Sequence, residues 1–239
     1  MPSDFPWPNL TRSFQAISDA ELREADDDSY DRWRLHSRFM RGKRFDALDS
    51  ASAVVIVASG GMGKSHLCGV LCNRTTPGVT RKLIQLGDYA DDLSLKNEIQ
   101  RAKSEAGEGI LELYLDGLDE IRMQFAPAWS SLCRALEQER HRLKVRITCR
   151  PSALPRDAHQ RLSAIWPTRR NPRGANGSEV QIVELQPLAI WDIRRAARSA
   201  GVDPDRFTNE LRDRDLNLLA ASPLTLRHLI HLFRRGGAL

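Results

Sequence analysis

The chain has 239 residues, 41% of them hydrophobic and 28% charged, which is enough apolar material for one large globular domain or two small ones. No apolar run approaches the roughly 18 residues that a membrane helix needs, and the start, MPSDFPWPNL, has neither the basic nor the apolar region of a secretory signal. A cytoplasmic protein without a membrane span is expected.

The four cysteines, Cys68, Cys72, Cys133 and Cys149, lack paired C-x-x-C spacing and read as reduced, mostly buried residues rather than a disulfide frame or a zinc ribbon. The net charge of +5 is unevenly placed. Between Glu139 and Arg173 the bases Arg140, Arg142, Lys144, Arg146, Arg150, Arg156, Arg161, Arg169, Arg170 and Arg173 are opposed only by Glu139 and Asp157. This stretch invites an anionic partner, and without interleaved aromatics it fits nucleotide phosphate better than nucleic acid.

Residues 1–50 mix prolines, an acidic cluster from Glu21 to Asp28 and a helical face of Trp33, Leu35 and Phe39. This lead-in is too short for a core of its own and is expected to pack on the domain C-terminal to it. Residues 53–58, AVVIVA, form a β-branched strand that stops at a glycine loop and gives way to a helix from Lys64 to about Cys72. Further strands are expected at Lys82–Leu86, Ile110–Leu115, Val145–Cys149 and Val180–Leu185, with helices at Asp92–Ala106, Pro127–Arg140 and Ala153–Ile165. That alternation implies βαβ units and a parallel sheet, an α/β fold. The stretch from Trp166 to Ser178, rich in Pro, Gly, Asn and Arg, reads as an exposed loop. Beyond Pro187 the pattern is wholly helical: Ile190–Ala200, Pro204–Arg212, Leu216–Ala221 and Pro223–Phe233. The expected division is a lead-in over 1–50, an α/β domain over 51–187 and a small helical lid over 188–239. The lid's apolar positions Leu216, Leu218, Leu219, Leu224, Leu226, Leu229, Ile230 and Phe233 are expected to bury one face on the α/β domain.

Three motifs carry chemistry. Ser59-Gly60-Gly61-Met62-Gly63-Lys64-Ser65 lies between an apolar strand and a helix. In such a loop successive backbone N–H groups cradle phosphate, the helix N-terminus adds positive potential, Lys64 reaches the β/γ-phosphates and Ser65 offers a hydroxyl to Mg²⁺. The Walker A pattern has glycine where this chain has Ala58, a restriction if that position needs positive φ. The second motif is LYLDGLDE, residues 113–120. Asp116, at the C-terminal end of a buried strand, faces the ligand crevice and can hold hydrated Mg²⁺, while Asp119 or Glu120 can position or deprotonate a water. The third, ITCRPS, puts Arg150 at the same sheet edge, where a guanidinium can sense a γ-phosphate. His228 and His231 read as a helix face, and Trp129, Trp166 and Trp191 as anchors between elements.

GGMGKS, LYLDGLDE and ITCRPS in that order, followed by VELQPL and ASPLTL, resemble the NACHT-type branch of the STAND P-loop ATPases over residues 50–235. The resemblance implies a three-layer P-loop NTPase sandwich with five parallel strands in the order 5-1-4-3-2 and a helical lid. It implies ATP and Mg²⁺ as ligands, residues 59–66 (Ser59 to His66) on the nucleotide and Pro223 near the adenine. The implied activity is that of a slowly hydrolysing signalling switch that oligomerises on a trigger and works with a sensor or effector protein, in bacteria often in antiviral defence. Members of the family continue into a winged-helix domain and a repeat sensor, so a chain ending at Leu239 is read as truncated, split or minimal. Two other readings stand beside this one: a scaffold that holds nucleotide without useful turnover, motivated by Ala58, and an AAA+-like ATPase on DNA, motivated by the basic stretch.

Overall fold

Every residue of AVVIV, residues 53–57, is buried, which is why this strand shows no polar alternation: both of its faces are covered. It is the third of seven strands in a computed structural model that describes residues 12–16, 43–44, 48–89, 91–121, 125–167 and 179–236. The strands are β1 (Ser13–Ala16), β2 (Lys43–Arg44), β3 (Ala53–Val57), β4 (Val79–Gln85), β5 (Ile110–Asp116), β6 (Leu143–Cys149) and β7 (Val180–Leu185). The helices are α1 (Lys64–Cys72), α2 (Asp92–Ala106), α3 (Phe125–Gln138), α4 (Ala158–Ile165), α5 (Ile190–Ser199), α6 (Pro204–Asp213), α7 (Asn217–Ala220) and α8 (Pro223–Arg234). The expected face of Trp33, Leu35 and Phe39, and Arg169, Arg170 and Arg173 of the basic run, lie outside the described residues.

The sheet order is β2-β1-β7-β3-β6-β5-β4. Strands β7, β3, β6, β5 and β4 are mutually parallel, so the parallel core has the expected order 5-1-4-3-2. Right-handed crossovers then dictate which face each helix covers. The first crossover, from β3 out to β4, puts α1 on one face, where Leu67, Cys68 and Leu71 pack with Val54 and Ile56. The chain then winds back across the sheet, so α2, α3 and α4 share the opposite face with Ala53, Val55 and Val57.

The sheet extends beyond the parallel core. Strand β1 pairs antiparallel with β7, placing Phe14 opposite Leu185, and β2 pairs with β1. Phe14 is only 1% exposed, so part of the lead-in is an integral edge of the sheet rather than a segment laid on it.

The face under α1 also buries charge. Arg146, fully buried, approaches Glu112 at 3.0 Å and donates to the Ala51 carbonyl at 3.0 Å, while Arg81 Nε meets the other oxygen of Glu112 at 2.8 Å. Burial lowers the Arg146 pKa, opposed by the charge of Glu112. Arg146 is therefore withdrawn from the basic surface expected of its stretch. Its neighbours are engaged locally: Lys144 donates to the Asp49 carbonyl, Arg142 to the Glu108 carbonyl, and Arg161 pairs with Asp157.

The helices after β7 have a core of their own, which corrects the expected packing. Leu226, Leu229 and Ile230 of α8 are buried with Ile193, Ala196, Phe207 and Leu211, and Phe233 meets Phe207 edge-on at 5.2 Å. Leu218, Leu219 and Leu224 instead stay more than half exposed. Of the three tryptophan anchors, Trp129 and Trp166 are buried, but Trp191 is 68% exposed and anchors nothing among the described residues. All four cysteines are free; Cys68, Cys133 and Cys149 are buried and Cys72 is half-buried.

Candidate phosphate-binding site

The loop between β3 and α1 turns on two glycines in the left-handed region, Gly61 at φ 76° and Gly63 at φ 82°. Gly63 is the residue before α1, so the turn aims the first amides of the helix out of the sheet edge. Ala58 is not in that region: among the described residues the non-glycine positive φ values belong to Arg142 and Asp215. The departure from the Walker pattern therefore costs the backbone nothing here. Met62, 3% exposed, pins the loop to the core beneath α1, while Ser65 and His66 are exposed on the first turn of the helix.

Lys64 folds back over the loop, its ammonium donating to the carbonyls of Ala58 at 2.6 Å and Ser59 at 3.2 Å. Burial lowers its pKa, against the charges of Asp119 and Asp116, which raise it; Arg150 lowers it. Those four side chains thus gather at one edge, as the strand order requires, since β3, β6 and β5 end side by side.

Asp116, the last residue of β5, is buried, and its carboxylate accepts a hydrogen bond from the Thr148 hydroxyl at 2.5 Å. The same hydroxyl oxygen accepts from the Gly117 N–H at 2.9 Å, so Thr148 of β6 fixes both the acid and the turn after it. Gly117, at φ 79°, opens the one-turn 3₁₀ helix Leu118–Glu120. There Asp119 is clamped by Arg150: one carboxylate oxygen accepts from the Arg150 backbone N–H at 3.0 Å and the other from its Nε at 2.7 Å. Glu120 is exposed and its carboxylate folds over Gly117, taking no hydrogen bond or ion pair among the described residues. Cys149, the buried last residue of β6, has its thiol pKa pushed up to about 12 by burial.

The helices after β7 reach this edge through the start of α8. The Leu224 N–H and the Ser222 hydroxyl both donate to the Gly61 carbonyl, at 3.2 and 3.3 Å. Helix starts leave amides without intrahelical partners, and here one of them serves the phosphate loop. Ser222 makes no side-chain cap on its own helix. Pro223 lies against Gly63, its ring 3.6 Å from where a Cβ would stand.

A glycine loop entering a helix beside the central strand, with a parallel order that returns across it, decides the fold. It is the three-layer α/β fold of the P-loop NTPases. The comparisons add no family to this. No known family profile matches the chain, and no curated protein does. Among solved structures, a Walker-type ATPase of Pyrococcus abyssi aligns with 90% of this chain and 69% of its own at 14% identity and a TM-score of 0.46. PCH-2 of C. elegans aligns with 77% of this chain at 12% identity and a TM-score of 0.40, and the chain spans 48% of the length of PCH-2. A RuvB variant of Thermotoga maritima aligns with 87% of this chain and 69% of its own at 11% identity and a TM-score of 0.40.

In this P-loop fold the loop residues Ser59 to Ser65, Asp116, Asp119, Glu120 and Arg150 come together at the sheet edge, with Pro223 beside the loop. Among the described residues no cluster of three or more His, Cys, Asp or Glu could hold a metal by itself; His228 and His231 lie on α8. The Ser65 hydroxyl and the Asp116 carboxylate are hard oxygen donors, and Mg²⁺ takes few such protein ligands, filling its shell from phosphate and water. The donor set fits that ion. Two contributors were not singled out from sequence as site residues. Thr148 shows itself only through register, because Leu115 pairs with Ile147 and the next residues of the two strands must then be neighbours. Ser222, distant in sequence from the loop, carries no local signal.

Proposed function

We propose that the chain binds ATP with Mg²⁺ at the Ser59–Ser65 loop and serves as a slowly hydrolysing, nucleotide-controlled switch of the NACHT type. The observation that carries this reading is the gathering of Lys64, Asp116, Glu120 and Arg150 at one strand edge, with the start of α8 seated on the loop itself. The loop amides and Lys64 bind and orient the β- and γ-phosphates. Ser65 and Asp116 would hold Mg²⁺, which when bound supplies charge neutralisation on the phosphates. Glu120, which takes no hydrogen bond or ion pair among the described residues, positions the attacking water and accepts its proton, and Arg150 bears on the γ-phosphate. Seating α8 on Gly61 makes the helical module sensitive to the loop, the property a switch requires. Partners of the switch, a sensor, an effector or further copies of the chain, follow from the family resemblance alone.

The decisive experiment is nucleotide affinity, measured with and without Mg²⁺ for the wild type and Lys64→Ala. Binding should be lost in the variant while the circular dichroism spectrum is kept, because Lys64 adds little to either core. Equal affinity in the two proteins would remove the assignment. A second reading, nucleotide held without useful turnover, draws on the capture of Arg150 by Asp119; measurable hydrolysis by the wild type excludes it.

A further inference from the structure

Both cations that would meet the terminal phosphates rest on acceptors of their own chain. Lys64 rests on two neutral carbonyls, which any phosphate outcompetes by charge. Arg150 rests on a carboxylate that is only 9% exposed, while its own side chain is 55% exposed and so can swing away. We infer that Asp119 is the resident competitor of the γ-phosphate for Arg150, and that this competition sets how strongly the chain prefers a nucleoside triphosphate to a diphosphate.

The division of Asp119 between two donors is what makes the exchange workable. One oxygen holds the Arg150 backbone N–H and the other holds Nε. When the guanidinium leaves, the backbone bond persists, so β6 and the 3₁₀ turn keep their relative position and only the side chain moves. A γ-phosphate offers the fork a bidentate partner of greater charge than the carboxylate it gives up. A diphosphate presents no group at that place, and Arg150 stays where it is. The freed oxygen of Asp119 is left beside Glu120, on the same 3₁₀ turn. Triphosphate entry thereby uncovers a second acid on that turn.

This inference rests on the nucleotide-binding reading, and the test separates the two. Affinities for Mg²⁺·ADP and for a non-hydrolysable Mg²⁺·ATP analogue are measured for the wild type, Asp119→Asn, Arg150→Gln and the double variant. If the wild type binds neither nucleotide, the binding reading itself fails and the inference goes with it. Otherwise Asp119→Asn should raise the preference for triphosphate about five-fold, the scale that a half-exposed ion pair allows. In the Arg150→Gln background the same substitution should give a distinctly smaller factor, retaining only the effect of removing a nearby negative charge. An equal factor in both backgrounds, or an equal change for both nucleotides, overturns the competition. The wild type supplies an independent measurement if a variant fails to fold. The Nε–H resonance of Arg150, assigned in the wild type by through-bond correlation to its backbone, should keep its position on addition of ADP and move with the triphosphate analogue. The same response to both ligands also overturns the inference.

Discussion

Replacing Thr148 by valine keeps the shape and branching of a fully buried strand residue and removes only its hydroxyl. Two hydrogen bonds go with it, one to the Asp116 carboxylate at 2.5 Å and one from the buried Gly117 N–H at 2.9 Å. A bond to a charged group contributes about 1.5–3 kcal/mol, and a buried N–H left without an acceptor costs about 1–3 kcal/mol. Thr148→Val should therefore lose about 3–5 kcal/mol, a large part of the roughly 5–15 kcal/mol that holds a domain together. Thr148→Ser retains both bonds and sheds one methyl group, for about 1 kcal/mol. Urea unfolding with an unchanged m-value is the measurement. In the surviving fold of Thr148→Val, the Mg²⁺ concentration needed for nucleotide binding should rise, since the Asp116 carboxylate is no longer held, while Thr148→Ser stays near the wild type. If valine costs no more than serine, Thr148 is a packing residue and its role in orienting Asp116 is refuted.

The same geometry sets other outcomes. Glu120→Gln should keep Mg²⁺·ATP binding and lose turnover by about 10²–10⁴-fold, as measured by phosphate release; full turnover in the variant would transfer the base role elsewhere. Gly61→Ala puts a Cβ 3.2 Å from that of Leu224 at a positive φ, so it should destabilise by about 1–3 kcal/mol and weaken nucleotide binding. Gly60→Ala, with nothing within 4 Å and no positive φ, should be near neutral, and equal melting temperatures for the two variants would contradict the strain assigned to Gly61. Hydrogen exchange across residues 190–235 should differ among ATP, ADP and no nucleotide, whereas identical protection in all three would make α5–α8 a static part of the fold and end the switch reading.

Much of this architecture was legible in the sequence because parallel strands and amphipathic helices write strong local patterns. The strand expected over AVVIVA emerges one residue shorter, as Ala53–Val57, and the bounds of α1 and α2 and the strand Val180–Leu185 emerge where the pattern puts them. The site edge was legible because Asp116 ends a strand, Asp119, Glu120 and Arg150 follow strand ends, and the family resemblance implied the strand order. What escaped reading depends on contacts between distant segments. Strand β1, SFQA, is four residues with a single buried apolar side chain to announce it and is defined by its pairing with β7. The exposed Leu218, Leu219 and Leu224 have the same composition as the buried leucines of α8, and only the packing against α5 and α6 tells them apart. Arg146 looked like surface because arginine usually is; Glu112, thirty-odd positions earlier, makes the difference.

That buried ionic group also keeps the strands from sliding. Successive residues of β6 alternate between two unlike interiors: Arg146 and Thr148 face the side where Glu112 and Asp116 wait, while Val145, Ile147 and Cys149 face a wholly hydrophobic one. A shift of β6 by one residue would turn Arg146 toward Leu132, Leu136 and Ile99, where no acid could receive it, and strand Glu112 with one arginine fewer. An unpaired charge in such surroundings costs several kcal/mol, so the misaligned sheet is penalised far more than a hydrophobic mismatch would be. The alignment thereby enforced is the one that sets Thr148 beside Asp116 and Arg150 beside Asp119: the charge hidden in the middle of the sheet proofreads the geometry at its end.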